Sequence, residues 1–334
     1  MKNQYFFPAI AALALGLVFA ACHGKDDDDN NKPGGNTADV YVVGEGPMLW
    51  KNGAGQRISN HDADAFSVFV SGNDVYAAGV EYTQDTNNAV YWKNGAIQRL
   101  SSVNYAHANS IFVSGGNVYV VGYETDERWN TKAILWVNGQ AQRLIPFSDA
   151  NQHSWAFSVY VSGNDVYVAG AEGDFTPASA TLWKNGAPQR LGSEFSFATS
   201  VFVSDGNVYV AESGEASRLW KNGAPQILSG IENPTAVFVS GSDIYVLGHQ
   251  LTPQLTYRAV VWKNGFIQNV SSGNREASGN SLFVSGNDVY VAGWEENTDE
   301  SAIPTLWKNG QAQRLTTQTP DVIAYSVYVA EKEG

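Results

Sequence analysis

Seven of the chain's ten tryptophans recur at regular intervals, and three do not: Trp129, Trp155 and Trp294. Near the first two stand Tyr123, Arg128, Phe147, His153 and Phe175. Flat aromatic faces among carboxylates and amides suit sugar rings, which offer apolar C–H faces and hydroxyl edges. The same residue types also anchor protein partners. A second constellation is His61, His107 and His153, which fall in what read as successive links between repeats, with His249 in a further loop. If the first three converge, they could ligate a metal or serve as acid and base. Their offsets from the strands that follow differ, and no carboxylate repeats beside them. Glu81, Glu124, Glu172 and Glu295 recur two residues after a glycine. A ring of carboxylates could hold a cation or contact sugar hydroxyls, but a position that repeats reads first as a capping or turn device. The acidic run at 295–300 lacks the spacing and the glycine of an EF-hand. No Gly-x-Ser-x-Gly elbow, His-Glu-x-x-His, phosphate loop or dinucleotide fingerprint is present. Paired carboxylates on separate repeats would leave no local motif, so a glycosidase stays open.

Composition narrows the classes. A net charge of −13 argues against binding a phosphate backbone, which needs clustered Lys and Arg, so no nucleic-acid partner is expected. With 43% hydrophobic residues the chain is not a disordered one. Lys2, an apolar run and the small residues Ala20 and Ala21 form a secretory signal over 1–21, too short for a stable span. Cys22 is the only cysteine, so no disulfide can form within one chain. The stretch LVFAAC resembles a bacterial lipobox, which implies lipidation of Cys22. Residues 22–38 carry an acidic run and Pro-Gly-Gly, and read as a disordered tether. An acidic run just after such a cysteine resembles the export signal of Bacteroidota surface lipoproteins. That resemblance implies an outer-membrane protein facing outward; a periplasm-facing protein is the alternative.

The elements that would position these residues are legible from internal copying. The pentapeptide LWKNG at 49–53 returns with small changes at 91–95, 135–139, 182–186, 219–223, 261–265 and 306–310. Each copy belongs to a unit such as SVYVSGNDVYVAG…ATLWKNGAPQRL, residues 158–191. The unit reads as four short strands: β-branched and aromatic runs separated by Gly-Asn-Asp, then an Asn-Gly hairpin. Four strands in about 40–45 residues is the size of a propeller blade. The first unit lacks its first strand, and the chain ends on AYSVYVAEKEG, which supplies one. The reading is all-β: a seven-bladed β-propeller over 39–334, closed by segments 39–58 and 326–329 sharing one blade. The strand layout resembles WD40 blades without the Gly-His or Trp-Asp signatures, and implies topology only. In it the SVFV strands are innermost and the QRL strands outermost.

That order puts the tight Gly-Asn and Asn-Gly turns on one face and the long links on the other. Residues copied in every blade should pack and turn; function belongs to what differs, on long loops held by a rigid frame. The seven repeated tryptophans therefore read as wedges between blades. The leading functional reading is a surface-anchored, non-enzymatic, monomeric lipoprotein that needs no cofactor or metal. It would bind a glycan on the long-loop face through Trp129, Trp155, Trp294, Tyr123, Arg128 and His153. A scaffold for an envelope protein is the alternative, and a polysaccharide lyase or glycosidase using His61, His107 or His153 a further one.

Overall fold

The computed structural model describes residues 38–332 apart from 102, 104, 147–152, 174–177 and 318. The expected signal, Cys22 and nearly all of the tether, together with Phe147 and Phe175, lie outside the described residues. Among those described are 28 strands and no helix. They group as seven four-stranded blades: 63–99, 105–143, 153–194, 196–227, 232–269 and 277–314 form blades 1 to 6. Blade 7 combines Asp39–Gly44, Met48–Lys51 and Ala54–Arg57 with the C-terminal strand Ala324–Ala330. Val42 pairs with Val327 and Tyr41 with Tyr328, antiparallel, so the two chain ends share one sheet as the split repeat requires. A single parallel bridge, Asn87 to Tyr105, also links blades 1 and 2.

Within a blade the repeated residues form one small machine. Asn94 (φ 51°) and Gly95 (φ 81°) both adopt positive φ, the geometry of a type I′ hairpin turn. Asn94 Oδ1 accepts the Val75 N–H at 2.9 Å, and its Nδ2 donates to Asp74 at 2.7 Å. Lys93 completes the clamp, with Nζ 2.7 Å from Asp74 and 5.3 Å from the Tyr76 ring centre. Blades 3, 5, 6 and 7 repeat this Asp–Lys–Asn–Tyr unit. The neighbouring tryptophan turns inward. Trp50, Trp92, Trp136, Trp183 and Trp307 are at most 1% exposed, and Trp262 is 5% exposed. Trp183 Nε1 donates to the Ile145 carbonyl and Trp50 Nε1 to that of Thr316, each in the link leaving the preceding blade. The wedge reading therefore stands for these six; Trp220 is only partly buried, and its Nε1 donates to Glu212 of its own blade at 2.6 Å. The outer strands, such as Gln140–Arg143, face water along their whole length.

Two circuits run between the inner strands. Ser67 Oγ accepts the Ile111 N–H of the next blade at 3.2 Å. Ser110, Ser158, Ser200, Ser281 and Ser326 do the same to their own next blades. Blade 5 breaks the series, because Ala236 stands at that position. Two residues further along each strand, seven rings follow one another: Phe69, Phe112, Tyr160, Phe202, Phe238, Phe283, Tyr328 and back to Phe69. Their centroids are 4.8–5.3 Å apart, within the favourable range for tilted aromatic pairs. None is more than 6% exposed, so the rings make a floor across the channel toward its tight-turn end.

Candidate functional site

Above that floor each inner strand carries a bulge. In blade 1 the register shifts between Ala65 and Ser67, leaving Phe66 as the extra residue. Blades 2, 3, 4 and 6 shift at the same point. A bulge bends the strand and re-aims a side chain. It also brings the Asp64 carbonyl within 1.9 Å of where a Cβ on Gly79 would sit, and the His107 carbonyl within 1.8 Å of one on Gly122. The repeated second-strand glycine is therefore a consequence of the bulge. Four bulge residues tie to the next blade: Asn109 to the Ala156 carbonyl, Thr199 to Pro234, Thr235 to Gly279 and Asn280 to Ala324. In blades 1, 3 and 7 the bulge residue is instead aromatic: Phe66, Phe157 and Tyr325.

The long-loop end of the channel is lined by two positions that vary between blades. One lies two residues before the bulge: Asp64, His107, Trp155, Phe197, Asn233 and Ser278 in blades 1 to 6. The other follows the second-strand glycine, and includes Glu45, Tyr123, His249 and Trp294. Across three blade junctions the two sets meet. Glu45 forms an isolated bridge with Asp64, Ser213 Oγ lies 3.2 Å from Asn233 Oδ1, and His249 Nε2 lies 2.9 Å from Ser278 Oγ. The same order brings Tyr123 of blade 2 to the edge that packs on the inner strand of Trp155.

The mouth divides by chemistry. Blades 1 to 4 supply an aromatic arc. Phe66 and Tyr123 both stack on His107, with centroids 6.1 and 5.0 Å away and interplanar angles of 13° and 15°. His153 and Trp155 stack at 5.7 Å, and Phe157 meets Phe197 at 6.4 Å. Two residues outward from His107, Tyr105 packs on Trp129 at 5.2 Å; Trp129 is 63% exposed. Blades 5 and 6 supply the polar residues Asn233, His249 and Ser278, together with Trp294, which pairs with Ser278. At the junction of blades 7 and 1, Glu45 accepts the Tyr325 hydroxyl at 2.6 Å and the Ile323 N–H at 3.1 Å. Asp64 accepts the Tyr82 hydroxyl at 2.9 Å and the Gly46 N–H at 3.0 Å.

Burial governs the charge states here. Desolvation pushes the Glu45 carboxyl above the usual carboxylate range, against the Tyr325 hydrogen bond, with Asp64 adding to the rise. Desolvation also pushes His107 and His249 down to about 4, so both are neutral near pH 7. The Tyr123 phenol is raised to about 12 by the same cause.

Several sequence expectations are corrected in position. Trp155 and Trp294 are not on loops: they sit in the strands His153–Ser162 and Asp288–Glu296. His107, His153 and His249 are likewise on strands, Tyr105–Ser114, His153–Ser162 and Asp243–Leu251. Of the residues expected to bind the glycan, only Trp129 and Arg128 lie outside the strands, in the turn 126–130, where the Arg128 N–H donates to Asp126. Trp129 and Trp155 belong to adjacent blades, while Trp294 lies three blades beyond Trp155, across the channel. The histidines occupy separate settings. His61 is on an exposed link, 3.5 Å from Glu81. His107 stacks on two rings, and His153 Nδ1 accepts the Thr131 N–H. Among the described residues no group of three or more His, Cys, Asp or Glu is arranged to hold a metal ion. Of the repeated glutamates, Glu81 is buried in a two-toothed pair with Arg99 at 2.7 and 2.8 Å, and Glu124 accepts the Ser101 hydroxyl. Both brace outer segments. Sequence reasoning missed Phe66, Phe157, Phe197, Asp64 and Glu45. Their signal is variation at fixed places inside copied text: x-Ala-x-Ser in the inner strand and Gly-x-Glu in the second.

No family model matches the chain, and no curated protein matches it. Solved structures do. A puromycin-hydrolysing peptidase from Mycobacterium tuberculosis aligns over 80% of this chain at 12% identity and TM-score 0.55. The aligned part is 49% of that peptidase, so this chain corresponds to about half its length. The β-propeller domain of the Trilobed protease from Pyrococcus furiosus, described as having an open velcro topology, aligns over 83% of this chain and 92% of its own. Identity is 11% and the TM-score 0.51. The WD40 propeller domain of Doa1 aligns over 82% of this chain and 91% of its own, at 13% identity and TM-score 0.51. At such identities the likeness carries the fold alone: the chain is a β-propeller.

Proposed function

We propose that this propeller is a non-enzymatic binding protein that holds a glycan in the long-loop mouth of its channel. The observation that carries this reading is the grouping at the mouth of aromatic residues (Tyr123, Trp155, Phe197) opposite a set of polar ones (Asn233, His249, Ser278) that also holds Trp294. A pyranose presents the matching pair of surfaces. The Trp129–Tyr105 pair extends the aromatic arc to the rim.

Membrane attachment through Cys22 fits the same reading. Asp39 starts the second strand of blade 7 and pairs with Ala330, at the tight-turn end. A tether joined there leaves from the face opposite the mouth. With Cys22 lipidated, an attachment at that end would leave the mouth free to meet an external glycan.

Glycan-array binding by residues 38–334, followed by calorimetry on the best hit, tests the proposal. Trp155→Ala should weaken binding while Trp92→Phe, remote in the blade core, leaves it unchanged. Equal affinity in wild type and Trp155→Ala would reject the mouth as the site.

A further inference from the structure

Blade 5 departs from its copies at two apolar places. The residue before the repeated tryptophan is Leu or Tyr in the other blades and Val261 in blade 5. The apolar residue two places after the outer-strand glutamine is Leu or Ile in the other blades and Val270 in blade 5. Both valines line a cavity of about 350 Å³ between blades 5 and 6, at the low end of the range for small-molecule sites. Val289 and Val291 of blade 6 add to its apolar wall. Asn287 and Asn309, from two tight turns of blade 6, place it toward the end of the ring opposite the mouth.

Polar groups meet at the same place. Trp307 lines the cavity and is 1% exposed, and its Nε1 has no hydrogen-bond partner among the described residues. The equivalent Trp50 and Trp183 donate theirs to carbonyls in the link leaving the preceding blade. Trp92 and Trp136 also lack a partner, but neither lines this cavity. A buried N–H without an acceptor is costly, so an acceptor supplied by a ligand gains more there than at a solvated donor. Gln268 is displaced as well. In three other junctions the equivalent glutamine lies against the hairpin glycine of the next blade: Gln98 at Gly139, Gln189 at Gly223 and Gln313 at Gly53. Gly310 meets the Asn269 and Val270 carbonyls instead, and Gln268 lines the cavity. Lys263 is the only charged residue among those described along the wall, and Asp243 holds it at 2.7 Å. The lining therefore offers an indole N–H, the carboxamides of Gln268, Asn269 and Asn287, and valine methyls, with no unpaired charge.

A secondary amide matches that lining. Its carbonyl can accept the indole N–H, its own N–H can meet a carboxamide oxygen, and its methyl can pack on valine. We propose that the cleft between blades 5 and 6 is a second ligand site, which takes a neutral small molecule through a secondary amide such as an acetamido group. Trp307 Nε1 donates to the amide carbonyl, Gln268 and Asn287 receive its N–H, and Val261 and Val270 leave the room for it. The site lies at the other end of the channel from the glycan mouth, so either assignment can fail alone.

The test follows the Trp307 indole signal in ¹H–¹⁵N spectra of residues 38–334, identified by its loss in Trp307→Phe. Two probes carry the amide, methyl N-acetylglucosaminide and N-acetylalanine methylamide, and they tell a sugar source from a peptide one. Methyl glucoside lacks it. At least one amide probe should shift the signal saturably, with a Kd of about 1 mM or below, and methyl glucoside should not. Val261→Leu with Val270→Leu installs the residue most other blades carry. Its melting temperature should equal or exceed wild type while binding falls about tenfold or more. Gln268→Ala, at an exposed position, should weaken binding several-fold with the fold intact. A Trp307 signal unmoved by both amide probes would leave the cavity to solvent and overturn the proposal. So would an equal shift with methyl glucoside, or undiminished binding in the double leucine variant.

Discussion

The Tyr325 hydroxyl donates to Glu45 Oε1 at 2.6 Å, joining residues 280 positions apart in sequence. Glu45 follows the first strand of the fold and Tyr325 lies in the last, so this bond reinforces the sheet shared by the chain ends. Both groups are largely buried, which makes a missing partner costly. Tyr325→Phe should lower stability by about 2 kcal/mol, read as a shift in urea midpoint with little change in slope. A loss no larger than that of an exposed Tyr→Phe control would show that the bond does not hold the closure.

The serine circuit makes a prediction in the opposite direction. Ala236 stands where a hydroxyl would receive the Leu282 N–H, by analogy with Ser200 and Val237 in the preceding junction. Ala236→Ser should therefore stabilise the ring by about 1 kcal/mol, seen as a higher melting temperature. Ser200→Ala should destabilise it by a similar amount. Destabilisation by Ala236→Ser would mean that blade 5, whose register slips between Glu232 and Ala236, cannot present the hydroxyl.

The repeated clamp separates charge from turn geometry. Lys93 and Asp74 form an exposed pair, so Lys93→Ala should have little effect on stability, and less in high salt. Asn94 combines positive φ with two hydrogen bonds, and Asn94→Ala should cost about 1–2 kcal/mol. Chemical denaturation of the two variants ranks them, and the reverse order would refute this division.

Acid should act in two stages. His107 and His249 are held neutral by burial, with values near 4, whereas the unfolded chain takes protons near pH 6.5. The unfolded state then binds more protons, so stability is complete above about pH 6.5 and falls as pH drops toward 4. The loss is on the order of 3 kcal/mol per histidine. Glu45, raised by burial, works oppositely: its contribution is present at low pH and fades as pH rises through its folded value. Asp39, held down to about 2 by Lys51 and Asn52, adds stability above about pH 4 that is lost only at lower pH. Melting curves from pH 7 to 4 should show the first stage, and His107→Phe should reduce its slope. An unchanged slope would place the titrating groups elsewhere.

Much of the architecture was legible because it is copied. Asn-Gly at seven sites could only be a repeated hairpin, and the split unit at the chain ends already specified the shared blade. The mouth was less legible because its residues are set by a bulge. Nothing in DAFSV announces that Phe66 is an extra residue, and the bulge becomes visible only once Gly79 is seen against the Asp64 carbonyl. Trp155 and Trp294 were assigned to loops because each lies past the copied core of its strand. The pairing continues beyond that core, Trp155 with Ala171 and Trp294 with Ser278, and makes both positions strand rather than loop. Trp129 needed no such correction, since its turn is local.

The account rests most heavily on the aromatic arc as a ligand wall. Its most direct test is calorimetric titration of wild type, Trp155→Ala and Tyr123→Ala with one array-selected oligosaccharide, alongside melting curves. The account predicts saturable binding by wild type and an affinity loss of about tenfold or more in each variant, with folding retained. Binding that survives both substitutions unchanged would contradict it.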